Sequence, residues 1–176
     1  MYRILLILLL IIFSLSSCKE KKRRMTAREA RAMQQPLESV NRRLLKQDEE
    51  LITKHCKRRG WDMEMTNSGL WYGKLSSDTT QRYLIEKGNL VELEYRIELL
   101  NGKLLYSSDS LGTKVFEVGH GGVENGLEEG ILLMKRNDSF RFIMPPHKAF
   151  GLLGDMNKVP VRSIIVYYVD VIKVEK

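Results

Sequence analysis

From residue 91 to residue 99 apolar and charged side chains alternate without a break: Val91, Leu93, Tyr95, Ile97 and Leu99 against Glu92, Glu94, Arg96 and Glu98. Successive side chains of an extended strand point to opposite faces, whereas helical spacing would scatter these charges around every face. The run is therefore a strand with one buried face, which requires a sheet and a cover for it. Asn101-Gly102 follows, a hairpin turn dipeptide, and the chain returns through residues 103–107. Phe140, Phe142 and Met144 alternate with Ser139, Arg141 and Ile143, and Pro145-Pro146 ends that strand, because proline cannot serve a central ladder. Residues 164–174 are apolar on both sides for most of their length, which predicts a central strand. Upstream, Met63-Glu64-Met65-Thr66 and Leu70-Trp71-Tyr72 flank Asn67-Ser68-Gly69 and read as a further hairpin. Residues 76–82 form a polar loop, and Lys87-Gly88-Asn89 marks a turn.

One short helix interrupts these strands. Residues 124–134 place Leu127, Ile131 and Met134 on one stripe, with Glu128 and Glu129 in the first turn and Lys135 and Arg136 after the last. Both charge placements complement the helix dipole. Asn137 stands where a left-handed cap is expected. Many strands with one short helix give an α+β fold, the helix covering one face of an antiparallel sheet.

The N-terminal third has a different character. Residues 4–13 are ten apolar residues behind Arg3, too few to cross a bilayer and of the length of a signal-peptide core. Leu15-Ser16-Ser17-Cys18 follows and resembles a bacterial lipobox, in which the cysteine is acylated and becomes the new N-terminus. Acyl chains at about 0.8 kcal/mol per buried methylene anchor a protein without a spanning helix. Residues 19–60 carry 14 Lys/Arg and 6 Asp/Glu, whereas residues 61–176 carry 14 and 16. The formal charge of +7 thus belongs to the membrane-proximal arm, where it suits anionic headgroups. The arm contains no aromatic residue, which argues against nucleic acid as a partner. Its first part, residues 19–33, is charged and flexible. From Pro36 the pattern is helical, with Leu37, Val40, Leu44, Leu51, Ile52 and His55 near three-and-four spacing and Gly60 as the stop. This helix can pack on its own domain, lie on the membrane, or pair with a second copy through residues 36–59. With Cys18 acylated, Cys56 is left without a disulfide partner, in a basic stretch able to lower its pKa or as a passenger thiol.

The resulting domains are a signal peptide over 1–17, a basic tether and helical arm over 18–60, and a folded domain over 61–176. Three scattered histidines and two cysteines offer no zinc spacing, and there is no phosphate-binding glycine motif. No cofactor or metal is expected.

Over residues 90–173 the chain resembles the FKBP-type peptidyl-prolyl isomerases. The series runs from Val91-Glu92-Leu93-Glu94-Tyr95 through Asn101-Gly102-Lys103, Ser107-Ser108 and Phe116-Glu117-Val118-Gly119. It continues with Val123-Glu124-Asn125-Gly126-Leu127-Glu128-Glu129-Gly130, Met144-Pro145-Pro146-His147-Lys148-Ala149-Phe150-Gly151, Val159-Pro160 and residues 166–171. Ser110-Leu111-Gly112-Thr113 and the 154–158 stretch, with the signal and Cys18, resemble the gliding-motility-associated lipoprotein group (GldI-like) of that family.

The resemblance implies a twisted antiparallel half-barrel wrapped around the short helix, preceded by the helical arm. It implies an apolar pocket walled by Tyr95, Leu105, Tyr106, Phe116, Val123, Leu127, Phe150, Val159 and Tyr167, with the Glu124 backbone N–H facing a ligand carbonyl. The expected activity is prolyl isomerisation of exported, proline-containing polypeptides by an envelope protein, anchored by lipid on Cys18 and most consistent with the outer membrane. The alternative is a catalytically weak binding or chaperone module on the same scaffold, in a gliding or secretion assembly. Five positions depart from the family pattern: Leu105-Tyr106 for Phe-Asp, Leu127 for Trp, Phe150 for Tyr, and Glu124 for Ile.

Overall fold

The computed structural model describes residues 26–77, 80 and 83–176, so the signal segment and Cys18 lie outside the described residues. Helix α1 spans Ala27–Arg59 and is followed by β1 (Glu64–Met65), β2 (Trp71–Ser76), β3 (Leu90–Leu99), β4 (Leu104–Ser107), α2 (Ser108–Leu111), β5 (Lys114–Glu117), α3 (Asn125–Ile131), β6 (Ser139–Met144), a 3-10 turn (Pro146–Lys148) and β7 (Ile165–Glu175). The strands form one antiparallel sheet in the order β1-β2-β6-β7-β3-β4, with β5 also on β3. β3 keeps the alternation of its sequence: Val91, Leu93, Tyr95 and Ile97 are buried. The Asn101-Gly102 turn closes with Gly102 at φ 85° and its N–H on the Leu99 carbonyl at 2.9 Å. β7 is central, paired with β3 along its whole length and with β6 on the other side.

The two apolar sides of β7 have separate covers. Ile165, Tyr167, Val169 and Val171 join the main core with Leu127, Ile131 and Met134 of α3 and the turn after it. Ile164 and Val166 join a second cluster with Ile143 and with Ile52 and Cys56 of α1. From Asn41 onward, α1 belongs to one compact unit that runs to Lys176.

Three expectations are corrected. Helix α1 begins at Ala27, so Pro36 lies inside it rather than at its start, and residues 27–33 are helical. Ala, Arg, Glu, Met and Gln dominate residues 27–35, and such strong helix formers carry the helix past one missing N–H. The buried face of α1 is Asp48, Ile52, His55 and Cys56, while Val40 and Leu51 are half exposed; the Leu37 side chain is outside the described residues. Helix α3 ends at Ile131, and the chain continues to Met134 by turns, with Met134 N–H on the Ile131 carbonyl. Of the two readings of Cys56, the passenger thiol fits, since burial pushes the thiol up despite Arg141 nearby. Asn137 does take the left-handed conformation (φ 65°), and its N–H bonds the Val171 carbonyl at 2.9 Å.

Candidate functional site

The residues expected in the pocket come from six separate pieces of chain. Tyr95 lies on β3, Leu105 and Tyr106 on β4, Phe116 on β5, Val123 and Glu124 before α3, Leu127 on α3, Phe150 and Val159 in the loop after the 3-10 turn, and Tyr167 on β7. The fold brings Tyr95, Leu105, Phe116, Leu127, Val159 and Tyr167 into one buried cluster, with Tyr106, Val123 and Phe150 half-buried against it. Six of the nine side chains are thus core, and three lie at its partly exposed edge.

Local structure explains these placements. β4 and β5 share one edge of β3, pairing with its two ends, and α2 fills the break between them. At the break the Ser108 hydroxyl accepts the Tyr95 N–H at 3.1 Å and reaches back to the Tyr95 carbonyl at 3.4 Å. A side chain thus completes the ladder at Tyr95 and fixes its ring against the cluster. The Tyr95 and Tyr167 rings lie 6.0 Å apart at 45°. Glu124 caps α3. One turn on, Glu128 accepts the N–H groups of Gly119 at 2.8 Å and Gly121 at 2.9 Å, bracing the loop that leads to Glu124. The Glu124 N–H has no protein acceptor among the described residues.

The polar groups of the site are arranged in ways the sequence did not disclose. The Glu124 carboxylate pairs with Lys114 Nζ at 3.2 Å. That ammonium also sits 5.1 Å from the Tyr95 ring centroid and 5.6 Å from that of Tyr167. A cation over two aromatic faces strengthens an otherwise costly charge at a pocket wall. Lys114 was legible in principle, since it precedes Phe116 by two residues on β5 and so shares its face. Burial, and then Glu124, hold both phenols above the ordinary tyrosine range, Tyr167 by much more, so both remain neutral donors. The Tyr167 hydroxyl is fully buried with no hydrogen-bond partner among the described residues.

The Tyr106 hydroxyl donates to Asp155 of the loop. The same carboxylate accepts N–H groups from Asn157 at 2.9 Å and Val159 at 2.8 Å. Against burial, which raises it, these hydrogen bonds hold Asp155 below the usual carboxylate range. The carboxylate missing at position 106 is thus supplied from the opposite loop, behind the phenol. Sequence reading singled out Gly154-Asp155 as a subgroup feature but not as a site residue, because a pair 49 residues apart has no local signature. Among the described residues no group of three His, Cys, Asp or Glu side chains could hold a metal ion.

Comparisons with known proteins agree with this geometry. The family pattern described as FKBP-type peptidyl-prolyl cis-trans isomerase matches residues 82–172. A probable FKBP-type peptidyl-prolyl cis-trans isomerase from Haemophilus influenzae is 29% identical over 161 residues, covering 84% of this chain and 65% of that protein. FK506-binding protein 2 of Dictyostelium discoideum is 32% identical over 88 residues, 49% of this chain and 66% of that protein. The chain therefore spans about two thirds of the length of these curated relatives. Among solved structures, AtFKBP13 superposes with a TM-score of 0.59 at 26% identity, over 64% of this chain and 98% of its own. FkpA from Escherichia coli superposes with a TM-score of 0.60 at 20% identity, over 94% of this chain and 80% of its own, a likeness of fold alone. With half of its length matched in sequence and its barrel matched in space, the chain belongs to the FKBP-type peptidyl-prolyl cis-trans isomerase family.

Proposed function

We propose that this protein is a prolyl isomerase of the cell envelope, anchored by lipid on Cys18, that assists the folding of exported proteins, and that it falls in the gliding-motility-associated lipoprotein group of its family. The observation that carries the activity is the gathering of nine side chains expected at the pocket into one apolar cluster, next in sequence to a Glu124 N–H that has no acceptor among the described residues. The reaction needs little else. The barrier to X–Pro rotation is amide resonance, about 20 kcal/mol, and no bond is made or broken. A dry apolar pocket disfavours the charge-separated planar amide, while the twisted imide loses less on leaving water. Binding that is tighter for the twisted state lowers the barrier. In this reading the Glu124 N–H holds a substrate carbonyl, and Tyr95, Phe116, Leu127 and Phe150 receive the proline ring.

Envelope anchoring rests on the apolar segment before Leu15-Ser16-Ser17-Cys18 and on the basic arm. Metabolic labelling with palmitate tests it: label and membrane fractionation are expected for the natural chain and lost in Cys18→Ala.

A second reading, a binding module with weak catalysis, draws on one observation. Tyr106 spends its hydroxyl on Asp155, and Phe150 has none to offer a peptide. One measurement separates the readings: NMR exchange of a short Leu-Pro or Phe-Pro peptide with the processed chain. Acceleration that vanishes in a folded Tyr95→Ala, Phe150→Ala double variant supports the isomerase. No acceleration from a folded protein, across several residues before proline, supports the binding module.

A further inference from the structure

The loop of residues 150–163 carries two pocket residues, Phe150 and Val159, and the rim carboxylate of Asp155, without regular secondary structure. It is held in two ways. The inner hold is Asp155, which gathers Tyr106 and the N–H groups of Asn157 and Val159. Gly154, at φ 71°, lies so close to the Val159 carbonyl that no other residue fits there. The outer hold is Arg162, at the foot of the loop and itself at φ 52°. Its Nη2 lies 3.0 Å from each oxygen of Asp48 and 3.3 Å from the Leu44 carbonyl, both on α1.

Asp48 is the anomaly. It sits four residues from Leu44 and from Ile52 on the buried face of α1 and is only 5% exposed. An apolar residue would dock a helix there equally well, since buried ion pairs contribute little net stability. What such a pair does contribute is register, because a charge left buried without its partner is strongly disfavoured. Only two residues separate Arg162 from Val159, and one of them is Pro160, so a shift at Arg162 has little slack before it reaches Val159. A groove of about 350 Å³, lined by Leu44, Leu45, Leu152 and Arg162 among others, runs beside the pair and leaves the loop room to move once released.

We propose that Asp48 and Arg162 are positioning residues for the isomerase pocket: α1 fixes the foot of the 150–163 loop, and through it Val159 and the Tyr106–Asp155 rim. The proposal rests on the isomerase reading for its kinetic consequence but not for its structural one, and the experiment reads the two separately. In the full processed chain, amide hydrogen exchange is measured at Asn157 and Val159, with Phe142 and Tyr167 as core references, beside kcat and KM for a Leu-Pro peptide. Arg162→Ala is expected to raise exchange at the two loop amides about tenfold, with the core amides unchanged, and to raise KM several-fold with a smaller effect on kcat. Arg162→Lys is expected to restore most of both, since one nitrogen makes all three contacts. Should Arg162→Ala not fold, the isosteric Asp48→Asn carries the same readouts. Wild-type loop protection in a folded Arg162→Ala or Asp48→Asn overturns the proposal, as does loop exchange that rises only together with core exchange. If the natural chain shows no isomerase activity, the functional reading fails while loop exchange still decides whether α1 holds the loop.

Discussion

At the residue scale the site is defined by two hydroxyls with opposite circumstances. Tyr106 is satisfied by Asp155, whereas Tyr167 is buried with its oxygen unpartnered among the described residues. An unmet buried polar group costs about 1–3 kcal/mol, so Tyr167→Phe should raise stability by about 1 kcal/mol or more, read as a higher urea midpoint at unchanged slope. His55 offers a second test. It is buried edge-on against Trp61 at 5.1 Å, and burial, then Arg59, Arg58 and Arg141, push its pKa below the usual 6.5. The unfolded chain therefore takes up a proton as pH falls through 6.5 while the folded chain does not. The contribution of His55 is fully present above that pH and is lost as pH falls toward the folded value. Urea midpoints of the natural chain should fall between about pH 7 and 5, and His55→Phe should flatten that fall. An unchanged slope in His55→Phe would assign the pH dependence to other groups.

At the element scale, what packs α3 onto the sheet is the absence of side chains. A Cβ on Gly130 would lie 2.6 Å from the Phe142 ring, and one on Gly126 would lie 2.7 Å from Met144 Sδ. The two glycines are one turn apart on the face that meets β6, so the helix axis comes closer than any other residue pair would allow. Gly130→Ala is expected to destabilise by about 1–3 kcal/mol through overpacking, despite the better helix propensity of alanine, and thermal unfolding checks the sign. The elements themselves were largely legible. Alternation in β3, the Asn101-Gly102 turn and the apolar β7 are local patterns, and the structure keeps each of them. The residues that the family motif singled out converge on one core cluster. What stayed hidden was set by tertiary partners: Ser108 completing the ladder at Tyr95, Lys114 answering Glu124, and Asp155 answering Tyr106. The start of α1 was misplaced for a different reason. Pro36 in isolation reads as a first helical position, and the strong helix formers before it extend the helix upstream.

At the scale of the whole molecule, the sheet needs two covers, and its two faces draw them from different parts of the chain. Helix α3 closes one face with Leu127 and Ile131. The other face presents Ile143, Ile164 and Val166, and residues 41–59 of α1 close it with Ile52 and Cys56. Burying a single Ile or Val contributes about 1.5–3 kcal/mol, and a domain of this size has only about 5–15 kcal/mol in total. Stripping α1 away would uncover several such side chains at once and also cut the Asp48–Arg162 pair, leaving the Arg162 guanidinium without its carboxylate. A chain beginning at residue 61 should therefore lose most of its stability and associate through the bared face. A chain beginning at residue 41 should unfold at the temperature of the full processed chain. Equal unfolding temperatures for the two shortened chains would show that α1 is an appendage rather than a wall of the domain, and with it would go the argument that the arm steadies the pocket.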